Sequence, residues 1–272
     1  MKRILFTISF LLTVFGRPAY AQRYSNAVGI SVGTLTLRML DQQASPLRYR
    51  GTIRPVFGLR YGHASDRSRF NLRLSGGAGS MNPERFGSRS YATPFPDGKT
   101  FTYDVSSVFY SATIEADYLR RVSLPDNATG SLWVGGALQE SMWYADEVAN
   151  FPWVMNTATV APVVQYDYPF QPRHTFTLRV DLAVFGLITR AIYANFPKST
   201  DDTNVGAYFK QGTRTATINK LGNVNVQLGY GFRVNSRISL GAFYRVRYLS
   251  YPLPRPIRAV SSTLSLESEV RF

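Results

Sequence analysis

The chain has no cysteine, which excludes thiolate metal sites, cysteine nucleophiles and a disulfide framework. Histidine is almost missing as well: His63 and His174 are the only two, so the commonest proton-transfer side chain is available at two places at most. Charge is sparse, 18% of 272 residues, and acids are the scarcer sign, with 17 Asp+Glu against 31 Lys+Arg and a formal charge of +14. So few charges beside so much apolar residue do not suit a disordered chain. Past residue 21 no apolar run is long enough for a membrane-spanning helix. What is plentiful is aromatic and small: 17 Tyr, 18 Phe and 21 Gly.

Residues 1–21 read as a secretory signal. A basic start at Lys2 and Arg3 is followed by an apolar run from Ile4 to Phe15 and by Ala19-Tyr20-Ala21, a small-x-small cleavage site. No cysteine follows the site, so lipid anchoring there is not expected. Residues 22–272 are expected to form one domain, and export argues against nucleic acid as a partner despite the basic charge.

An exported chain rich in Tyr, Phe and Gly invites a test for period-2 alternation, because in a strand successive side chains point to opposite faces. At the end of the chain Leu264, Leu266, Val270 and Phe272 share one parity, and Glu267, Glu269 and Arg271 the other. Ile238, Leu240, Tyr244 and Tyr248 oppose Arg245 and Arg247, and Val224, Val226, Leu228 and Tyr230 oppose Asn225, Gln227 and Arg233. Tyr110, Ile114 and Tyr118 oppose Glu115 and Asp117, while Phe176, Leu178 and Val180 oppose Arg179 and Asp181. Residues 48–64, 67–80 and 155–170 repeat the pattern, the last interrupted by Pro162, which suits an edge or a bulge. Residues 25–41 alternate through Val28, Ile30 and Val32 and then change phase to Leu35, Leu37 and Met39, which reads as a bulge near Gly33. Residues 131–145 alternate but put Glu140 on the apolar parity, a position expected at the membrane margin.

These segments predict ten strands of a closed antiparallel transmembrane β-barrel, with eight or twelve as alternatives. The connections agree. Short ones at 65–67, around Asp126 and Asn127, at 171–173 and at 235–237 alternate with longer ones, notably about 81–102 and 194–213. With Ala19-Tyr20-Ala21, the alternating strands and the terminal Arg271-Phe272, the chain resembles the outer-membrane β-barrel proteins of Gram-negative bacteria. The resemblance implies an outer-membrane location, a barrel-assembly machinery that reads the final aromatic Phe272, and lipid and lipopolysaccharide as surroundings. It carries no family-specific functional motif. In strand count the chain is also similar to the ten-stranded outer-membrane proteases called omptins.

The parity opposite the lipid-facing one collects Arg48, Arg50, Arg54, Arg60, Arg69, Arg73, Arg179, Arg233, Arg245, Arg247 and Arg271 with Glu115, Asp117, Asp181, Glu267 and Glu269. A lumen with that positive excess would favour anions, whereas the plainer reading is a salt-bridged interior filling a small barrel. Both histidines fall beside short turns, the wrong end for an outward-facing catalytic site. Asp146 with Glu147, and Asp201 with Asp202, sit in long connections and read as loop solvation rather than a metal site, so neither a metal nor a cofactor is expected. Gly229-Tyr230-Gly231 is not a nucleotide loop, since no helix follows, and Asn127-Ala128-Thr129 matches a glycosylation sequon only weakly. Tyr49, Tyr61, Tyr118, Tyr166, Tyr168, Tyr230, Tyr244 and Phe272 are expected to contribute aromatic girdles. The long loop with Arg85, Phe86, Tyr91, Phe95 and Pro96 is the candidate for external contacts with lipopolysaccharide phosphates, glycans or a partner protein, or for a cap over the barrel.

The expectation is therefore a non-enzymatic interaction or scaffold barrel with a charged, largely filled lumen. A narrow anion-favouring, porin-like channel, an accessory subunit of an outer-membrane machine and a rim-located hydrolase are the alternatives.

Overall fold

The computed structural model describes residues 25–95, 98–105, 107–125, 129–148, 151–190 and 204–272. The expected signal segment, the Asn127-Ala128-Thr129 sequon, Pro96, Asp201 and Asp202 lie wholly or partly outside these residues.

The alternating segments form the staves of a barrel. In chain order they are β1 (Ser25–Asp41), β2 (Arg48–Ala64), β3 (Ser68–Pro83), β6 (Ser107–Val122), β7 (Ser131–Val148) and β8 (Phe151–Gln171). Then come β9 (His174–Leu182) with β10 (Phe185–Arg190), β11 (Thr213–Thr217) with β12 (Gly222–Arg233), β13 (Ile238–Tyr251) and β14 (Ile257–Arg271). β9 and β10 are two halves of one stave, both paired to β8, and β11 and β12 are two halves of the next. All pairings are antiparallel, and β1 pairs with both β2 and β14. The result is a closed ten-strand barrel, which leaves no sheet edge.

Two connections at one end are long, as the sequence indicates. The first contains a separate hairpin of β4 (Arg89–Pro94) and β5 (Thr100–Val105), a two-stranded sheet apart from the barrel. The second ends in a helix, α1 (Asn204–Gly212), that the sequence reading did not anticipate. Tyr208 of α1 donates to the Thr189 carbonyl of β10 at 2.9 Å, and burial there raises its phenol above the ordinary value. At the opposite end Ser65 caps the β2–β3 turn by accepting from the Arg67 and Ser68 amides, and Asn235 does the same for Arg237 and Ile238.

The outward face is apolar. Ile30, Phe57, Leu59, Leu74, Ile114, Leu138, Val164, Leu228 and Leu266 are all exposed on it. Exposed Tyr61, Phe70, Tyr118, Tyr168 and Phe176 lie towards the short-turn end, and the Tyr110–Tyr144 ring pair, 5.8 Å between centroids, towards the long-loop end. Such paired belts are the mark of a barrel in a bilayer. Glu140 lies inside this band rather than at its margin, between Ile114 and Ala158 on the neighbouring strands. Its carboxylate accepts from Asn156 Nδ2 at 3.0 Å, which offsets part of the cost of a polar group facing lipid.

Two expectations about phase are corrected. β1 does not change face: it pairs with β14 without a register shift from Ala27 to Asp41, so its odd residues point inward throughout, although its register against β2 does shift between Gly33 and Leu35, the place of the expected bulge. The apolar Leu35, Leu37 and Met39 follow Gly29 and Ser31 into the lumen because the interior itself turns apolar there. The irregularity belongs to β2, whose register against β3 shifts between Ile53 and Phe57 around Pro55, a residue without an amide donor. Above that shift the odd residues Tyr49, Gly51 and Ile53 turn inward, and Arg48, Arg50 and Arg54 point outward and are exposed. Tyr49 is therefore a core residue at 4% exposure, not a girdle residue. Pro162 is accommodated as expected, beside the break between β9 and β10 where Val184 takes up the pairing to Val160.

Candidate functional site

The lumen is layered. At the long-loop end it is filled by a cluster of buried apolar side chains from most of the staves: Leu37, Met39, Ile53, Met81, Phe109, Trp143, Trp153, Met155, Ile188, Leu249, Tyr251 and Ile257. Gly51 makes room for this plug, since a Cβ there would lie 2.9 Å from the Phe109 ring. A polar latch caps it. Arg190 donates to Asp41 and to the carbonyls of Leu253 and Arg255, both at 2.7 Å, while Trp153 Nε1 donates to Asp41 at 2.9 Å. This ties together the ends of β1, β8 and β10 and the β13–β14 loop. The latch residues stand just where the clean alternation ends, which is why the sequence reading passed over them.

Below the plug lies the charge cluster, and most of the residues assigned to it by parity meet there. Glu115 of β6 accepts from Arg73 of β3 at 2.8 Å, Arg179 of β9 at 2.7 Å and Arg245 of β13 at 2.8 Å. Asp117 accepts from Arg73 at 3.0 Å, Arg179 at 2.7 Å and Asn71 at 2.7 Å. β13 lies across the ring from β6, with β9 beyond β7 and β8, so these bonds span the lumen rather than line one wall. Arg60 pairs with Glu267 at 2.9 Å and Glu269 at 3.1 Å, and Arg271 with Glu269 at 2.9 Å. Arg60 also donates to Asn71, joining this group to Asp117. Asp181 accepts from Asn225 at 2.5 Å. Asp167, a lumen acid omitted from the parity set although it follows Gln165 by two, accepts from Arg69 at 2.5 Å.

Arg48, Arg50 and Arg54 leave this set and Asp167 joins it, so the large positive excess expected of the lumen shrinks to near balance. The reason is the β2 register shift. Arg247 differs from its neighbours. It is 6% exposed, and among the described residues its guanidinium meets only neutral oxygens: Asn223 at 3.0 Å, Ser141 at 2.8 Å and Thr157 at 3.0 Å. Trp143 of the plug lies over it at 5.4 Å.

Two cavities lie along the lumen. A cavity of about 140 Å³ lies between Leu35, Val56 and Trp143 of the plug and Ser111, Gln139 and Arg245 beneath them. A second, of about 330 Å³, opens at the short-turn end among Arg69, Arg173, Thr177, Arg233, Glu269 and Arg271. Inward Phe243 lies between Gly229 and Gly241, where a Cβ would come within 2.8 Å of its ring, so Gly229-Tyr230-Gly231 serves strand packing.

Both histidines sit at the short-turn end. His63 Nδ1 is 2.8 Å from Asn26 Oδ1, and His174 Nδ1 is 2.7 Å from the Tyr230 hydroxyl. In the long loop Arg85, Phe86 and Phe95 are exposed, with the Arg85 guanidinium 5.4 Å from the Phe86 ring centroid, and Tyr91 is in register with Tyr103 in the hairpin. Among the described residues no group of three metal-ligating side chains gathers.

Compared with solved structures, the chain aligns with the outer membrane protease OmpT from Escherichia coli at a TM-score of 0.54 and 8% identity, over 94% of this chain and 99% of that one. It has the fold of the Gram-negative outer-membrane β-barrels. Neisserial surface protein A (TM-score 0.36, 10% identity, 90% of this chain and 99% of that one) and the COG4313 outer membrane channel from Pseudomonas putida F1 (0.43, 8%, 94% and 100%) are also similar. No family model matches the barrel, and no curated protein matches it in sequence. At such identities the likeness is one of fold, and a shared fold does not carry an activity with it.

Proposed function

We propose that this barrel is an exported, non-enzymatic component of the Gram-negative outer membrane whose lumen is closed, so that it acts through its surfaces rather than by passing solutes. The observation that carries this reading is the apolar plug. It fills the long-loop end with buried side chains, and the larger of the two lumen cavities, about 330 Å³, opens at the short-turn end beneath it. By the usual arrangement of short periplasmic turns and longer external loops, the plug faces outward and the polar well faces the periplasm. The lumen charges support a structural role, since their carboxylates are engaged by guanidinium and amide donors from opposite walls. Both histidines at the short-turn end argue against catalysis at the outer rim.

The test is single-channel recording of the refolded full chain in a planar bilayer under a salt gradient. A correctly folded barrel that stays silent is expected. Stable anion-selective steps would instead make the lumen arginines a conduction path and overturn the reading.

A further inference from the structure

The three arginines displaced from the lumen by the β2 register shift do not stand alone. Arg38 and Arg50 are direct cross-strand partners on the outward face of β1 and β2. One residue pair further towards the long loops, Arg258 of β14 and Arg48 of β2 flank Leu40 of β1 on the same face. All four side chains are exposed. Glu84 pairs with Arg38 at 3.2 Å, and no other carboxylate pairs with the four among the described residues. Like charges directly opposite on a sheet repel one another. In the lumen Arg60, Arg69, Arg73, Arg179, Arg245 and Arg271 each have a carboxylate, whereas here one acid serves four.

Position and surroundings say what fills the deficit. The cluster stands within the last few residues of its strands, beside outward-facing Tyr248, which pairs with Val260, the neighbour of Arg38. That is the level at which a barrel meets lipid headgroups. Immediately towards the membrane centre runs a row of outward hydroxyls on four adjacent strands, Ser262, Thr36, Thr52 and Ser80, with Thr36 and Ser262 2.7 Å apart. Guanidinium forks match phosphate oxygens two bonds at a time, and hydroxyls beneath them suit the ester or amide linkages below a headgroup. We infer that Arg38, Arg48, Arg50 and Arg258 form a binding site on the outer wall for the phosphate-bearing headgroup of a lipid in the leaflet on the long-loop side. This site is separate from the Arg85–Phe86 loop and from the lumen.

The experiment titrates the full chain, folded in neutral-detergent micelles, with diphosphorylated lipid A by calorimetry. Folding of each variant is checked by heat-modifiable gel mobility. Replacing all four arginines by serine is expected to weaken binding by about tenfold or more, and replacing them by lysine by less, because charge is kept and the fork is lost. The lysine set also keeps the site testable if the serine set does not fold. The control Arg120→Ser with Arg237→Ser, at the other end, is expected to bind as the parent does. Lipid A stripped of its phosphates should bind the parent no better than the serine variant binds the intact lipid. Equal affinity of the serine and parent proteins, or equal affinity for the dephosphorylated lipid, would overturn the assignment. So would displacement of the lipid by millimolar inorganic phosphate, which would mark a free-anion site.

Discussion

Glu115 and Arg247 are expected to respond in opposite ways to the loss of charge. Glu115 holds three guanidinium groups from three strands, so Glu115→Gln leaves buried cations short of a partner and should cost about 3–5 kcal/mol in urea-driven unfolding from vesicles. Arg247 has no carboxylate to lose and abuts the plug at Trp143, so Arg247→Met should leave stability nearly unchanged or raise it. Equal losses for the two would show that hydrogen bonds, not charge pairing, dominate the lumen. At this scale the legibility of the sequence followed parity. Glu115, Asp117, Arg179 and Arg245 could be placed inside because each lies in a run of uninterrupted alternation. Arg50 and Arg54 could not, because a single displaced register in β2 inverts every side chain beyond it and Pro55 does not announce which way.

Among the elements, the plug and the β4–β5 hairpin have different fates. The plug is integral to the barrel: Phe109→Ala with Trp143→Ala removes two of its large side chains. Each truncation should cost about 3–5 kcal/mol, and the pair should turn a silent barrel into one with measurable conductance. Among the described residues the two hairpin strands pair with each other and with no stave of the barrel, so excising residues 88–105 behind a short glycine-serine linker should leave the heat-modifiable, folded band intact. The sequence marks the plug with the exchange of Val28, Ile30 and Val32 for Leu35, Leu37 and Met39, but that signal has two physical readings. A strand that shifts its face and an interior that turns apolar produce the same pattern, and only the unbroken pairing of β1 with β14 separates them. α1 gave no comparable signal, since a helix of nine residues needs little periodicity.

For the whole molecule, the outward belt sets the tolerance to charge. Leu59, exposed at 58% in the apolar band, should lose about 2–4 kcal/mol on replacement by arginine, as read by folding into vesicles, whereas Arg50 near the strand end is already tolerated. The closed ring, its strand number and the alternation of short and long connections all follow from one repeated pattern, which is why they were readable. The layering inside is set by neighbours across the lumen, which no single segment reveals. That layering also has an electrical consequence. A polar well open at one end, followed by the buried ion pairs around Glu115 and then the apolar plug, behaves as a conductor in series with an insulator. A voltage applied across the membrane then falls over the buried ion-pair layer and the plug together. Arg69 and Arg233, which line the well, rest near the potential of the short-turn side, whereas Glu115, Arg179 and, next to the plug, Arg247 stand inside the field.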